Sequence, residues 1–211
     1  MASIAVIDYG MGNLRSVGKA LEHVAPQAQV IVTSNAALIK KADRVVFPGQ
    51  GAMPDCMREL DKRGLRDVVY ESASTKPFLG ICIGLQMLFD LSEEGNVSGL
   101  GILPGKVRHF QNQNRSQSGA RLKVPHMGWN QVQQGIEHSL WRDIPDNSRF
   151  YFVHSYYVEA AESKLKAALT QYGIPFTSAC ARDNIFAVQF HPEKSAVSGL
   201  ALLQNFVEWN P

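Results

Sequence analysis

Cys82 stands between Gly80 and Gly84, and more than a hundred residues later His191 and Glu193 flank Pro192. A thiol becomes a working nucleophile when a base takes its proton. The base in turn works best when a third group fixes its tautomer and supports its charged form. Cys82, His191 and Glu193 are the residue types for those three tasks. Taken alone, a G-x-C-x-G string also describes a small buried cysteine packed like an alanine. Likewise, a lone histidine is more often a core or capping residue, and a lone glutamate a solvated charge. The elements that must carry these residues decide between the readings.

The apolar run at residues 77–81 reads as a short buried strand, and residues 83–89 begin a helix, so Cys82 falls on the tight turn between them. That is the geometry of a nucleophile elbow, in which small flanking residues let neighbouring backbone approach. The helix beyond it would favour negative charge on a sulfur placed at its start. At the other end of the chain, residues 185–190 read as a strand running into His191-Pro192-Glu193. Pro192 pushes His191 out of the helical region, and side chains two apart on an extended backbone share a side. The carboxylate is therefore expected within reach of the imidazole.

The rest of the chain supplies a frame. Residues 3–8 read as a strand, followed by a turn rich in small residues in which Asn13 could cap a helix. Leu14, Val17, Leu21 and Val24 then recur at helical spacing until Pro26. Strands at 29–32 and 44–47 enclose a brief helix at 36–41, and helices follow at 53–62 and 65–74. This alternation predicts an α/β fold with a mostly parallel sheet flanked by helices, and sites gathered at the carboxyl ends of its strands. The turn Gly49-Gln50-Gly51 lies at such an end. It could aim a backbone N–H toward the elbow and, with the N–H of Ile83, form an oxyanion hole; taken alone, the loop reads more readily as a plain β–α turn. Later come a strand at 106–110, a polar aperiodic loop at 111–119, a short helix at 136–144, strands at 150–158, 165–172, 176–181 and 185–190, and a closing helix at 195–209. Its apolar face is expected at Val197, Leu200, Leu203 and Val207. The second half is thus predicted as a more antiparallel extension of the sheet, and residues 1–211 as one domain.

Composition narrows the function classes. A chain of 211 residues with 45% hydrophobic and 19% charged residues is ordinary for a globular domain, and a net charge of +2 with no basic patch argues against a nucleic-acid footprint. Three widely spaced cysteines, Cys56, Cys82 and Cys180, fit a reducing compartment better than a disulfide framework. The start lacks the pattern of a secretory signal, so a cytoplasmic protein is expected. No C-x-x-C or H-x-x-x-H pair offers a metal site, and no cofactor is expected.

At Gly80-Ile81-Cys82-Ile83-Gly84-Leu85-Gln86 and His191-Pro192-Glu193 the chain resembles the class I, triad-type glutamine amidotransferases. Asp8-Tyr9-Gly10-Met11-Gly12-Asn13-Leu14, Pro48-Gly49-Gln50-Gly51, Pro125-His126-Met127-Gly128-Trp129-Asn130 and Phe152-Val153-His154-Ser155-Tyr156 narrow the resemblance to the branch that forms glutaminase subunits of imidazole glycerol phosphate synthase. The resemblance implies hydrolysis of glutamine to glutamate and ammonia by Cys82, His191 and Glu193. It places oxyanion donors at Gly49, Gln50 and Ile83, and the head-group site at Gly51, Gln86, Glu94, Ser155 and Tyr156. Only Gln86 has support of its own, one helical turn beyond Cys82. The resemblance further implies a (β/α)8-barrel cyclase subunit that consumes the ammonia, with Asn13, His126, Met127 and Trp129 at the interface. From composition alone the last three are equally core or docking residues. Another amidotransferase, a γ-glutamyl hydrolase or a silent scaffold would share the machinery or fold; intact Cys82, His191 and Glu193 weigh against the scaffold.

Overall fold

The computed structural model describes residues 2–110, 115, 119 and 121–211. The chain begins β1 (Ser3–Ile7), α1 (Leu14–Val24), β2 (Gln29–Thr33), α2 (Ala36–Lys41), β3 (Arg44–Gly49), α3 (Met53–Lys62), α4 (Arg66–Thr75) and β4 (Phe78–Cys82). Strands β1, β3 and β4 are apolar on both sides and buried, as a covered parallel sheet requires. Asn35 caps α2, its Oδ1 accepting from the N–H groups of Ala37 and Leu38 at 2.9 and 3.3 Å. Helix α3 buries Met53, Cys56, Met57 and Leu60, one face at helical spacing.

Beyond the elbow, α5 spans only Ile83–Met87, shorter than the 83–89 expected. It is followed by β5 (Leu91–Ser92), β6 (Val97–Ser98), β7 (Gly105–His109), β8 (His126–Gln131) and β9 (Gln133–Gln134). The chain closes with β10 (Arg149–His154), β11 (Tyr156–Ala160), β12 (Lys166–Tyr172), β13 (Ile174–Arg182), β14 (Ile185–Val188) and α6 (Ala196–Glu208). The main sheet runs in the order β2-β1-β3-β4-β14-β13-β11-β7-β5-β6. Its first five strands are parallel, while β13 joins antiparallel to β14, β11 to β13 and β7 to β11. Steps from β1 to β2 and from β2 to β3 run in opposite directions, so right-handed crossovers put α1 and α2 on opposite faces. Among the described residues no helix is long and apolar enough to cross a membrane.

Four expectations are corrected. Residues 136–144 form only a 3-10 turn, Ser139–Trp141, because the backbone is out of the helical region on both sides of it, at His138 (ψ 144°) and at Arg142 (ψ 130°). Residues 150–158 are two strands in different sheets: β10 pairs with β8 as a separate antiparallel ribbon, and β11 returns to the main sheet after a break at Ser155. Helix α6 buries Gly199, Leu202, Leu203 and Phe206, whereas Val197 is 81% exposed. Asn13 precedes α1 without a side-chain cap; its carbonyl accepts from Val17 N–H instead. The expected loop at 111–119 falls, apart from Arg115 and Gly119, outside the described residues.

Candidate active site

Strand pairing brings Cys82, His191 and the Gly49-Gln50-Gly51 turn together. Strand β4 lies between β3 and β14, all parallel, with Gly49 opposite Cys82 and Val188 opposite Ile81. Their carboxyl ends therefore release Gln50, Cys82 and the residues leading to His191 side by side, where open parallel sheets hold their ligands.

Cys82 is an elbow residue. Its backbone sits at φ 56°, ψ −111°, a conformation that costs an L-residue roughly 1–3 kcal/mol. The close approach of α5 to β3 over-determines that conformation. A Cβ on Gly84 would lie 1.8 Å from the Phe47 carbonyl oxygen, and one on Gly49 would lie 2.7 Å from Ile83 Cβ and 2.9 Å from Gly84 N. Only glycine fits at both positions. As the first helical residue, Ile83 has an N–H without an intrahelical acceptor. Across from it, the Cys56 thiol donates to the Gln50 carbonyl at 3.5 Å, so the N–H of Gly51, on the far side of the same planar peptide, points the opposite way. Gly51 itself has φ 104°.

His191 is held by its backbone and its ring. Its N–H donates to the Tyr151 carbonyl at 2.9 Å, and its carbonyl accepts from the Ser195 hydroxyl at 2.6 Å. Pro192–Lys194 is a 3-10 turn and not the extended run expected, because proline's fixed φ suits the first position of a helical turn. The turn carries Glu193 under the ring, where Oε1 accepts from His191 Nδ1 at 2.9 Å. Both side chains are buried, and among the described residues His191 Nε2 has no hydrogen-bond partner. Burial opposes charge on this imidazole, but the Cys82 sulfur and the Glu193 carboxylate outweigh it and push its pKa up to about 10. The ring is therefore set up as a proton donor at neutral pH.

A cavity of about 320 Å³ opens over these groups. Cys82, Ile83, His191, Gln50 and Gly51 line it together with Gln86, Glu94, Ser155 and Tyr156. Gly49 and Glu193 are not in its wall: they pack behind it. Both Nε2 hydrogens of Gln86 are spent internally, on the Tyr156 carbonyl (3.1 Å) and on Gln189 Oε1 (3.0 Å), which leaves its buried Oε1 unpartnered in the wall. Glu94 accepts the Met53 N–H through Oε2 at 2.8 Å. Among the described residues there is no group of three or more His, Cys, Asp or Glu that could hold a metal ion.

Two polar residues around the cavity had no role in the sequence reading. His154 lines it, and Gln189 reaches Cys82 Sγ from Nε2 at 3.8 Å. A fully buried glutamine in an apolar strand was the visible signal for Gln189; His154 gave none, since its neighbours come from another strand. The expected docking residues divide by strand alternation. Met127 and Trp129 are 62% and 49% exposed on the outer face of β8, whereas His126 is buried on the inner face against Phe152 and Tyr172. His126 therefore presents no surface to a partner.

A family model described as glutamine amidotransferase class-I matches residues 5–209. The chain is similar to "Imidazole glycerol phosphate synthase subunit HisH" of Nitrosospira multiformis, 65% identical over 212 aligned positions that cover all of both chains. The same-named protein of Aromatoleum aromaticum is 66% identical, again with full coverage of both. Among solved structures, that of PurLQS from Thermotoga maritima superposes with a TM-score of 0.72 at 14% identity, covering 98% of each chain. A glutamine amidotransferase structure gives 0.70 at 15% identity, covering 97% of each. The chain belongs to the class-I glutamine amidotransferase family.

Proposed function

We propose that the chain, as one domain spanning residues 1–211, is the glutaminase subunit of an imidazole glycerol phosphate synthase. In this reading it hydrolyses L-glutamine to glutamate and ammonia and passes the ammonia to a (β/α)8-barrel cyclase subunit in histidine biosynthesis. The observation that carries it is the convergence of Cys82 and His191, the latter held by Glu193, on one cavity of about 320 Å³ at adjacent strand ends.

Cys82 Sγ attacks the side-chain amide carbon of glutamine, and the carbonyl electrons move onto oxygen. The oxyanion is held by the N–H of Ile83 and an N–H of the Gly49–Gln50–Gly51 turn. As the C–N bond breaks, His191 Nε2 gives its proton to the departing nitrogen, which leaves as ammonia, and a γ-glutamyl thioester remains on Cys82. Water then gives a proton to His191 and attacks the thioester, and glutamate departs as the sulfur recovers its electrons. Glu193 keeps the proton of Nδ1 facing inward throughout, so that Nε2 alone exchanges protons with substrate. The Glu94 carboxylate offers charge complementary to the α-ammonium of glutamine, and Gln86 Oε1 accepts a hydrogen from the bound head group beside Gly51, Ser155 and Tyr156.

The partner docks on the outer face of β8, where Met127 and Trp129 project, and also contacts Asn13. Aromatic and methionine side chains of this kind are enriched at interface centres. A glutaminase assay with and without the purified barrel subunit tests substrate and partner together. Glutamate release should be low for the chain alone and stimulated in the complex carrying the cyclase ligand. No glutamate from either would refute the reading.

A further inference from the structure

A chain of hydrogen bonds runs from strand β8 into the cavity wall, and its Asn130, His126, His154 and Gln189 have no part in the reaction scheme. Asn130 Nδ2 lies 3.2 Å from His126 Nε2 and donates to the Gln171 carbonyl at 3.0 Å. His126 Nδ1 is 2.9 Å from His154 Nε2, and His154 Nδ1 is 2.7 Å from the Tyr156 carbonyl oxygen. The same oxygen accepts from Gln86, whose second hydrogen goes to Gln189, whose amide reaches Cys82 Sγ.

One acceptor fixes the protons of both rings. A carbonyl oxygen can only accept, so His154 Nδ1 carries the hydrogen and its Nε2 is a bare acceptor. His126 Nδ1 must then donate, which leaves His126 Nε2 to accept from Asn130. Each ring is neutral in a single tautomer. Burial supports that state, holding His126 down to about 4 and His154 down to about 3; for His154 the neighbouring His126 and His191 oppose charge as well. The chain starts on β8, whose inner face bears His126 and Asn130 and whose outer face exposes Met127 and Trp129.

We infer that Asn130, His126 and His154 are positioning residues: a hydrogen-bonded relay that ties strand β8, through the Tyr156 carbonyl, Gln86 and Gln189, to the sulfur of Cys82. The inference deepens the glutaminase reading and rests on it for the meaning of Cys82. The relay gives contact on the outer face of β8 a route to the nucleophile, because displacing β8 moves the first donors of the chain. Packing alone would not require it. His126 stacks on Tyr172 and Phe152 with ring centroids 3.9 and 4.9 Å apart, and phenylalanine would serve there as well.

Two substitutions at one site separate relay from packing. His126→Phe keeps an aromatic ring but no donor; His126→Asn loses the ring, while its amide nitrogen takes about the place of Nδ1. The readout is the alkylation rate of Cys82 by iodoacetamide at neutral pH, followed on the peptide that carries it, beside the thermal midpoint. The relay predicts that His126→Phe slows alkylation about five-fold, the loss of one hydrogen bond to the network, and lowers the midpoint because buried His154 Nε2 loses its donor. It predicts that His126→Asn lowers the midpoint and keeps the rate within about two-fold. The opposite ranking, or equal rates in the two variants, would overturn it. Gln189→Leu removes the last donor and should slow alkylation at least as much; an unchanged rate would overturn the relay even if both His126 variants failed to fold. Alkylation needs neither glutamine nor partner, so a chain that releases no glutamate with its barrel subunit would sink the glutaminase reading and leave this test separate.

Discussion

His191 and His154 line the same cavity from neighbouring regions, both are buried, and their charges go opposite ways. Burial works against the imidazolium in each. Around His191 it is overruled by a sulfur and a carboxylate, and the pKa rises to about 10; around His154 the ring partners are a neutral imidazole and a carbonyl, and it falls to about 3. Depth in the protein therefore does not decide whether a histidine is held charged or neutral. The charge of what each nitrogen faces does.

The comparison can be broken most severely at the sulfur. Cys82→Ala should lower glutamine hydrolysis by about 10⁴-fold or more, as expected when one member of a nucleophilic triad is lost. Synthesis by the complex from supplied ammonia should persist. The same variant should bring the His191 titration down while leaving His154 unchanged, which NMR of the ring Cε1–H signals would report. At the carboxylate, Glu193→Gln keeps the shape under His191 but removes the charge, and should reduce kcat about 100-fold or more. A kcat near that of the unaltered chain would remove Glu193 from the triad.

On the docking side, Trp129→Ala should weaken affinity for the barrel subunit about ten-fold or more without changing the thermal midpoint, the behaviour of an interface anchor. Titration calorimetry would show this, and unchanged affinity would move the interface elsewhere.

The smallest expected effect is on stability, where the two histidines act with opposite sign. His191 has a folded pKa raised above its ordinary 6.5, so its contribution is full below about 6.5 and is lost as pH rises through about 10. His126 and His154 have folded values lowered from 6.5 to about 4 and about 3, so their contribution is full above about 6.5 and is lost as pH falls through that range. Denaturant midpoints measured against pH should therefore fall on both sides. His126→Phe should flatten the acid limb and Cys82→Ala the alkaline one; limbs unmoved by these variants would contradict the assignments.

The catalytic half of this contrast was legible in the sequence because its information is local. Gly80, Cys82 and Gly84 encode the elbow within five residues, and His191-Pro192-Glu193 brings base and carboxylate together within three. The β-α alternation that places both at strand ends is likewise periodic in the sequence. The structural half was not legible. Strands β8 and β10 form a ribbon apart from the main sheet, and the pairing of His126 with His154 depends on a register that neither strand announces. The same blindness merged β10 with β11 across Ser155, and it left His126 open between core and surface until the alternation of β8 was fixed by its partner. Residues 136–144 read as helical from their apolar spacing, yet non-helical backbone at His138 and Arg142 confines the helical part to one turn.

The central claim is that Cys82 carries the γ-glutamyl group between two proton transfers by His191. Acid quenching of the complex during turnover with glutamine, followed by mass spectrometry of the peptide bearing Cys82, tests it most directly. A γ-glutamyl adduct on that peptide, absent in Cys82→Ala, is the predicted result; glutamate release by Cys82→Ala at the rate of the unaltered complex would contradict it.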